Sequence, residues 1–376
     1  MAKILIAGDY CPQDRVAKMV AKGDYSFFDE VKDVIKEADY SIVNFECPVV
    51  EGEAMPINKC GPALRTERRA VDSIKYAGFD CVTLANNHFR DFGDAGCKTT
   101  IEELDKQGVD RVGGGMTLAD AQQILYKELG GQKIAVVNFC ENEFSIATAD
   151  RAGAAPMDTV DNYHQITEAR KNADYVLVIV HGGHEHYQLP SPRMKKLYRY
   201  YIELGADAVV NHHQHCYSGY EYYNGKPIVY GLGNFCFDEG VNCNPIWYEG
   251  YMVKIDIEES KISLIPYVQC QERVAVVPMG EEGIMKFNDR ISELNEVVSD
   301  DIKLRTSFDV MADGRLMQTK TLFASYHNRY LNAAANRKYI PHPIKFNEIA
   351  GQLNYVICES HHDIITKNLK DILDSI

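Results

Sequence analysis

The first two thirds of the chain alternate short aliphatic runs with amphipathic segments. The runs have the length and composition of buried strands, and apolar residues recur at helical spacing in segments 26–38, 66–77, 94–107 and 191–204. Strands are predicted at 3–9, 40–46, 81–88, 133–139, 175–183, 208–215, 226–235, 251–257 and 263–269. The alternation predicts an α/β fold. The lack of helical segments between the last strands predicts antiparallel additions to a mixed sheet.

Beyond about residue 278 the pattern changes. Apolar residues recur at helical spacing over 281–299, 315–334 and 361–376, and aliphatic runs become rare. We therefore predict one domain over residues 1–278 and a mostly helical C-terminal region over 279–376. The adjacent His361 and His362 are interpreted as part of a helix N-terminus and not as a pair of ligands.

Composition is that of a globular protein, with 45% hydrophobic and 25% charged residues. The formal charge of −14 argues against a nucleic-acid-binding surface. No apolar stretch approaches the roughly 20 residues of a membrane span, and the N-terminal apolar run is too short for the core of a signal peptide. The 11 cysteines lack Cys-x-x-Cys spacing, so we expect reduced thiols in a cytoplasmic protein.

Metal-binding residue types stand where five predicted strands end. They are Asp9, Glu46, Asn87, His88, His181, His213 and His215. Open α/β folds place their ligands at the rim of the sheet, where the strands end. A chain with 12 histidines places some of them there by chance, but chance accounts poorly for five strand ends together. The pattern favours a metal site.

The first two strands end in oxygen donors. Asp9 offers a hard carboxylate ligand directly after Gly8, although this dipeptide alone also reads as a turn. Asn44 and Glu46 share one side of their strand by its period of two, so both could face the site. Glu46 could bridge two metals. The alternative interpretation is that Glu46 is a surface carboxylate.

Two amides and an imidazole follow the third strand, where they would be costly to bury without partners. Asn87 can offer a carbonyl oxygen to a metal, and His88 can donate a proton to a leaving group. Asp91 could orient His88 through its ring N–H. The alternative is that Asn86 and Asn87 form a simple turn.

The remaining donors are imidazoles. His213 and His215 would face the same side of a strand, whereas His212 would face away and pack or meet solvent. Glu185, just beyond the strand that contains His181, could line the pocket. Imidazoles combined with carboxylates suit Mn, Fe or Zn. The donor count favours two divalent ions, which would clamp a phosphoryl group and generate a hydroxide nucleophile.

Five stretches resemble, in this order, the capsule-synthesis CapA family of poly-γ-glutamate capsule proteins. They are GDYCP (8–12), NFECPV (44–49), LANNHFRDFG (84–93), HGGHEH (181–186) and residues 205–238. The resemblance implies a bacterial protein with the calcineurin-like metallophosphatase fold. That fold is a four-layer α/β/β/α sandwich with two mixed sheets, here followed by the mostly helical C-terminal region.

The resemblance also implies two ligand sets that share one carboxylate. Asp9 and His215 would bind one metal, Asn87, His181 and His213 would bind the other, and Glu46 would bridge them. His88 would be the catalytic histidine, oriented by Asp91. Glu185 and Asn234 become pocket candidates, together with Cys11, Asn44 and Asn86.

Some positions depart from the family pattern. Cys11 replaces the usual histidine of Asp-x-His, so one metal would lose a ligand, accept Cys11 as a thiolate, or bind weakly. Gly182 replaces the usual tryptophan after His181. The family's Gly-x-His-Pro-His motif is replaced by Asn-His-His-Gln-His at residues 211–215. Many members carry an N-terminal membrane anchor that is not expected here, so direct action on an extracellular polymer is not expected either.

These features predict a metal-dependent hydrolase, with phosphoester cleavage as the leading hypothesis and a small molecule or polymer as the substrate. An amide- or γ-glutamyl-directed hydrolase would use the same centre. The other hypothesis is a non-catalytic component of capsule assembly, which binds a polymer or a partner protein and keeps a residual metal site. Neither nucleic acid nor membrane is expected as a partner.

Overall fold

The computed structural model describes residues 2–239, 244–315 and 346–374, with single residues 330, 331, 334 and 339. The strands in these residues are β1 (Lys3–Cys11), β2 (Tyr40–Phe45), β3 (Cys81–Thr83), β4 (Asp110–Val112), β5 (Gly114–Gly115), β6 (Leu125–Leu129), β7 (Gln132–Cys140), β8 (Gly153–Ala154), β9 (Tyr175–His181), β10 (Ala208–His212), β11 (Tyr220–Tyr223), β12 (Lys226–Val229), β13 (Asn234–Phe237), β14 (Glu249–Asp256), β15 (Lys261–Gln269) and β16 (Val276–Pro278). The helices are α1 (Asp14–Ala21), α2 (Lys32–Lys36), α3 (Arg69–Ala77), α4 (Gly93–Gln107), α5 (Leu118–Ala121), α6 (Thr159–Asn172), α7 (Pro192–Leu204), α8 (Glu281–Ser299), α9 (Asp301–Gly314), α10 (Phe346–Ile357) and α11 (Glu359–Asp374).

Two mixed sheets form the centre of the protein. The first has the order β16-β15-β14-β1-β2-β3-β4, and β13 pairs with the C-terminal part of β1 where β14 has ended. The second has the order β11-β12-β10-β9-β7-β6. In the first sheet β14, β15 and β16 join antiparallel, which confirms the antiparallel additions for the predicted strands 251–257 and 263–269. The predicted strand 226–235 differs, because its parts β12 and β13 pair in parallel with β10 and β1.

The sheets pack face to face, and helices cover their outer faces. Ile4 and Ile6 of β1 share a core with the second sheet, whereas Leu5 between them shares a core with α1, α3 and α4. On the other side, Ile166 of α6 and Tyr198 of α7 pack on the second sheet. Strands buried on both faces are expected to be aliphatic at nearly every position. The arrangement is the four-layer α/β/β/α sandwich that the resemblance implies.

Three predicted strands end differently from expectation. The strand predicted at 81–88 already ends at Thr83, and residues 87–92 form turns. β10 ends at His212, because left-handed backbone at His213 (φ 87°) and His215 (φ 53°) takes the following residues out of the sheet. The predicted strand 226–235 divides into β12 and β13, which belong to different sheets. The chain therefore crosses from the second sheet to the first beside the residues that carry the imidazoles.

The described residues after β16 are mostly helical. Phe287 of α8 packs against the rings of Tyr217 and Tyr251, and the first turn of α11 contains His361 and His362. Most of the predicted helix 315–334 lies outside the described residues. The domain boundary at residue 278 stays a prediction. Among the described helices, none combines the length and apolar character needed to cross a membrane.

Candidate metal centre

The C-terminal edges of the two sheets meet, and the candidate ligands lie where they meet. The first sheet places Asp9 in β1, Glu46 directly after β2 and Asn87 in the turn after β3; the second places His181 at the end of β9 and His213 and His215 after β10. Parallel strands bring their C-terminal ends to the same edge. Strand register shows this directly, since Asp9 pairs with Asn44 and His181 with His212.

Two groups of side chains could each hold a metal ion. One contains Glu46, His181 and His213, and the other contains Asp9, Glu46 and His215. Within each group the donor atoms lie within 4.8 Å of one another, and Glu46 belongs to both. Oε1 of Glu46 is 3.6 Å from Nε2 of His181 and 3.8 Å from Nε2 of His215. Asn87 Oδ1 lies 3.0 Å from Nε2 of His181, beside the first group.

The chemistry of the donors fits a cation. Oε1 of Glu46 is fully buried and accepts no hydrogen bond, which is costly for a carboxylate. Burial and the charge of Asp9 raise the pKa of Glu46 well above its ordinary value. Burial and the neighbouring His213 lower the pKa of His181, which favours the neutral imidazole that binds metals. A divalent cation would satisfy the Glu46 oxygen and offset the repulsion between the carboxylates.

The position predicted for His212 is wrong. Its side chain is only 2% exposed, and Nδ1 lies 3.1 Å from Oδ1 of Asp9. Burial tends to raise the pKa of Asp9, but the hydrogen bond and charge of His212 lower it below its ordinary value. The period of two fails here because β10 ends at His212, so His213 and His215 reach the site from a turn.

Two pocket candidates lie beneath the ligands. Asn44 donates from Nδ2 to Oδ1 of Asp9 at 2.8 Å and lies 3.3 Å from Nδ1 of His181. Its own Oδ1 accepts hydrogen bonds from Thr83 and from Asn86, both at 3.2 Å. Both asparagines are almost fully buried, so they do not line an open pocket. Asn44 contacts the candidate ligands directly, and Asn86 holds Asn44.

His88 and Asp91 form the expected pair, with Nδ1 of His88 2.7 Å from Oδ2 of Asp91. Burial lowers the pKa of His88, Asp91 opposes this change, and the charge of Lys59 adds to it. Lys59 lies 2.5 Å from Oδ1 of Asp91 and was missed by sequence reasoning. A single lysine in a polar segment carries no signal that could have identified it.

Cys11 belongs to neither ligand group. Its Sγ accepts a hydrogen bond from Nε2 of Gln13 at 3.3 Å, and burial raises the pKa of the thiol well above its ordinary value. The geometry therefore gives no support to Cys11 as a thiolate ligand.

The two pocket candidates from the family resemblance differ in position. Oδ1 of Asn234 accepts a hydrogen bond from Nδ1 of His215 at 2.9 Å, which leaves Nε2 of the ring for an ion. Asn234 is fully buried and orients His215, whereas Glu185 is exposed at the rim of the site.

Glu141 is a second residue that sequence reasoning missed. It follows β7 on the same edge, and its backbone N–H donates to the carbonyl of His181 at 3.0 Å. Its carboxylate accepts hydrogen bonds from Arg193 of α7 at 2.6 Å and from Ser360 of α11 at 2.7 Å. A side chain at Gly182 would have its Cβ 2.7 Å from Glu141, so the glycine makes room for this anchor. A polar residue after an aliphatic run was the available signal.

The fold and the site together define an α/β protein with candidate groups for divalent cations where its two sheets meet. The family described as bacterial capsule synthesis protein PGA_cap matches residues 3–239, and the chain belongs to this family. The resemblance stated from the sequence is thereby confirmed.

Individual relatives cover part of the chain. It is 35% identical over 205 residues to the capsule biosynthesis protein CapA of Bacillus anthracis, which covers 52% of this chain and 50% of that protein. It is 37% identical over 200 residues to the PGA biosynthesis protein CapA of Bacillus subtilis, and this match covers 52% of this chain and 53% of that protein. The chain spans about half the length of these curated relatives. A putative 5'-nucleotidase structure from Staphylococcus aureus aligns with 78% of this chain and 58% of its own chain, at 13% identity and a TM-score of 0.44.

Proposed function

We propose that this protein is a metal-dependent hydrolase, specifically a phosphoesterase, that uses two divalent cations such as Mn, Fe or Zn. The observation that carries the proposal is the buried Oε1 of Glu46, which lacks a hydrogen-bond partner and lies within 3.8 Å of imidazoles from both ligand groups. A carboxylate oxygen so placed is suited to bridge two cations. We further propose that residues 1–278 form the catalytic domain and 279–376 an appended region.

The ligands divide into two sets that share Glu46. Asp9, Glu46 and His215 would hold one cation, and Glu46, His181, His213 and Asn87 would hold the other. Cations bound there would polarise a phosphoryl oxygen and lower the pKa of water. Asn44, His212 and Asn234 orient these ligands through the hydrogen bonds described above.

His88 supplies the proton in this proposal. Its Nδ1 is bound to Asp91, so Nε2 remains available to donate to the leaving-group oxygen. Burial lowers the pKa of His88, and the negative charge of a phosphoryl group bound beside it would favour the protonated ring again. The substrate would be a phosphorylated small molecule or polymer of capsule synthesis, a context taken from the names of the relatives.

Metal analysis tests the centre. The full chain, purified without chelator, is expected to retain divalent metal measurable by mass spectrometry. Asp9→Ala and His215→Ala should each reduce it, and His181→Ala should reduce it through the other ligand set. His164→Ala, on an exposed face of α6, is the matched control and should leave the content unchanged. Equal metal content in all variants would contradict the assignment.

Activity tests the reaction. The Mn²⁺-loaded protein is expected to hydrolyse phosphomonoesters or phosphodiesters, and His88→Ala should reduce the rate about 10²-fold or more. Inactivity on both ester classes with metal demonstrably bound would refute the phosphoesterase. Cleavage of a γ-glutamyl amide under the same conditions would then identify an amide-directed hydrolase.

A further inference from the structure

Lys59 is a buried cation at the site that has no part in the reaction as proposed. Its side chain is 6% exposed and that of Asp91 is fully buried. Nζ of Lys59 lies 2.5 Å from Oδ1 of Asp91 and 3.2 Å from Nδ1 of His88. Burial removes much of the hydration of a lysine ammonium, and the close contact with the Asp91 carboxylate offsets that cost.

The segment that carries Lys59 is itself attached to Asp91. The backbone N–H of Ile57 donates to the Asp91 carbonyl at 2.8 Å. The backbone N–H of Leu64 donates to Oδ2 of Asp91 at 2.7 Å. Residues on both sides of Lys59 are thus held by the same aspartate, so the ammonium is placed by backbone contacts as well as by its own ion pair.

The contacts at Nδ1 of His88 decide how Lys59 acts. Nδ1 is 2.7 Å from a carboxylate oxygen of Asp91 and therefore carries the ring proton on that side. A protonated Nδ1 cannot accept a hydrogen bond from Lys59. The ammonium instead binds the other oxygen of Asp91, which prevents rotation of the carboxylate and balances its charge.

We propose that Lys59 is a positioning residue for His88, holding Asp91 so that the imidazole keeps its Nδ1–H on Asp91 and its Nε2 available to the substrate. This inference rests on the proposed function and deepens it, because it assigns the residue that sets the geometry of the proton donor. Loss of a partner that orients a functional side chain typically reduces activity about 10–100-fold.

Kinetics of full-length variants test the proposal with p-nitrophenyl phosphate and a phosphodiester as substrates. Lys59→Met is expected to lower kcat about 10–100-fold and change KM less than about 3-fold, with metal content unchanged. Its melting temperature should fall but stay above the assay temperature, because the buried ion pair with Asp91 is lost. Lys59→Arg keeps the charge and should recover most of the rate. Lys98→Met removes an exposed lysine of α4 that pairs with Glu102, and it should behave as the wild type.

Double substitution separates positioning from other roles. Lys59→Met should add nothing to His88→Ala, because both act through one imidazole. Two results would overturn the proposal in favour of substrate contact. One is a kcat of the double variant clearly below that of His88→Ala, and the other is a raised KM with unchanged kcat in Lys59→Met. Loss of metal from Lys59→Met, or unfolding of this variant at the assay temperature, would overturn it in favour of a structural role.

One measurement is independent of activity. The hydrogen-bonded Nδ1 proton of His88 should give a downfield proton NMR signal, identified by its loss in His88→Ala. We expect that signal to shift or broaden in Lys59→Met and to return in Lys59→Arg. If the metal-loaded wild type hydrolyses no ester, the proposed function fails while this signal still tests Lys59. An unchanged signal in Lys59→Met would refute the positioning role.

Discussion

Replacing Glu141 by glutamine is expected to loosen α10 and α11 from the rim of the site. Glu141 is 3% exposed, and Oε1 accepts hydrogen bonds from both Arg193 and Ser360. Arg193 also binds Asp363 of α11 at 2.7 Å, so the carboxylate and the guanidinium together join three elements. Glutamine keeps the size of the side chain and removes its charge.

The magnitude follows from two independent arguments. Burial raises the pKa of Glu141, but the charge of Arg193 and the hydrogen bond of Ser360 lower it from 4.5 to about 2. That difference corresponds to about 3 kcal/mol of stability at neutral pH. Breaking a buried ion pair costs about 3–5 kcal/mol, and the remaining Asp363 partner of Arg193 reduces this figure. Both arguments give about 3 kcal/mol.

Thermal unfolding and hydrogen exchange measure the effect. An unfolding entropy of about 2 cal/mol/K per residue over 376 residues converts about 3 kcal/mol into a shift of about 4 °C. The pKa of Glu141 is depressed in the folded state. Its stabilising effect is therefore complete above about pH 4.5 and is lost as the pH falls toward 2. The difference in melting temperature between the wild type and Glu141→Gln should shrink over the same pH range.

In Glu141→Gln, amide hydrogen exchange should accelerate more in residues 346–374 than in the rest of the chain. The control is Glu128→Gln, at an exposed position of β6, which should leave melting and exchange unchanged. A loss below about 1 kcal/mol in Glu141→Gln, with unaltered exchange in α10 and α11, would refute the anchor.

Three further outcomes are expected. Chelator should lower the melting temperature and Mn²⁺ should restore it, with about 2.7 kcal/mol gained at a hundredfold excess over Kd; no change in either direction would contradict metal binding to the folded state. Gly182→Trp should destabilise the protein and increase exchange in α11, because a Cβ there lies 2.7 Å from the anchored Glu141 side chain; an undisturbed α11 would argue against this packing. Gly8→Ala should reduce the yield of folded protein, because its Cβ would lie 1.9 Å from the carbonyl oxygen of Gly233; a wild-type melting curve would contradict that close approach.

The position of several candidate ligands was predictable, because they stand where strands end. Asp9, Glu46 and His181 end aliphatic runs, and parallel strands bring such ends to one edge. His212 was misplaced because the period of two holds only while the strand continues, and the left-handed turn after it is not visible in the pattern of polarity. Lys59 was missed because its role depends on a loop that folds back onto Asp91.

The amino-acid sequence by itself determined the class of fold, the family and the chemical types of the donors. Runs of aliphatic residues and the polar residues that end them are local features, and a chain segment carries them wherever it lies. Only the tertiary structure decided that His212 lies against Asp9 and that α11 reaches Glu141. These contacts join residues that are 203 and 219 positions apart in the chain. Their distances depend on how the two sheets pack face to face, which the pattern along one strand does not encode.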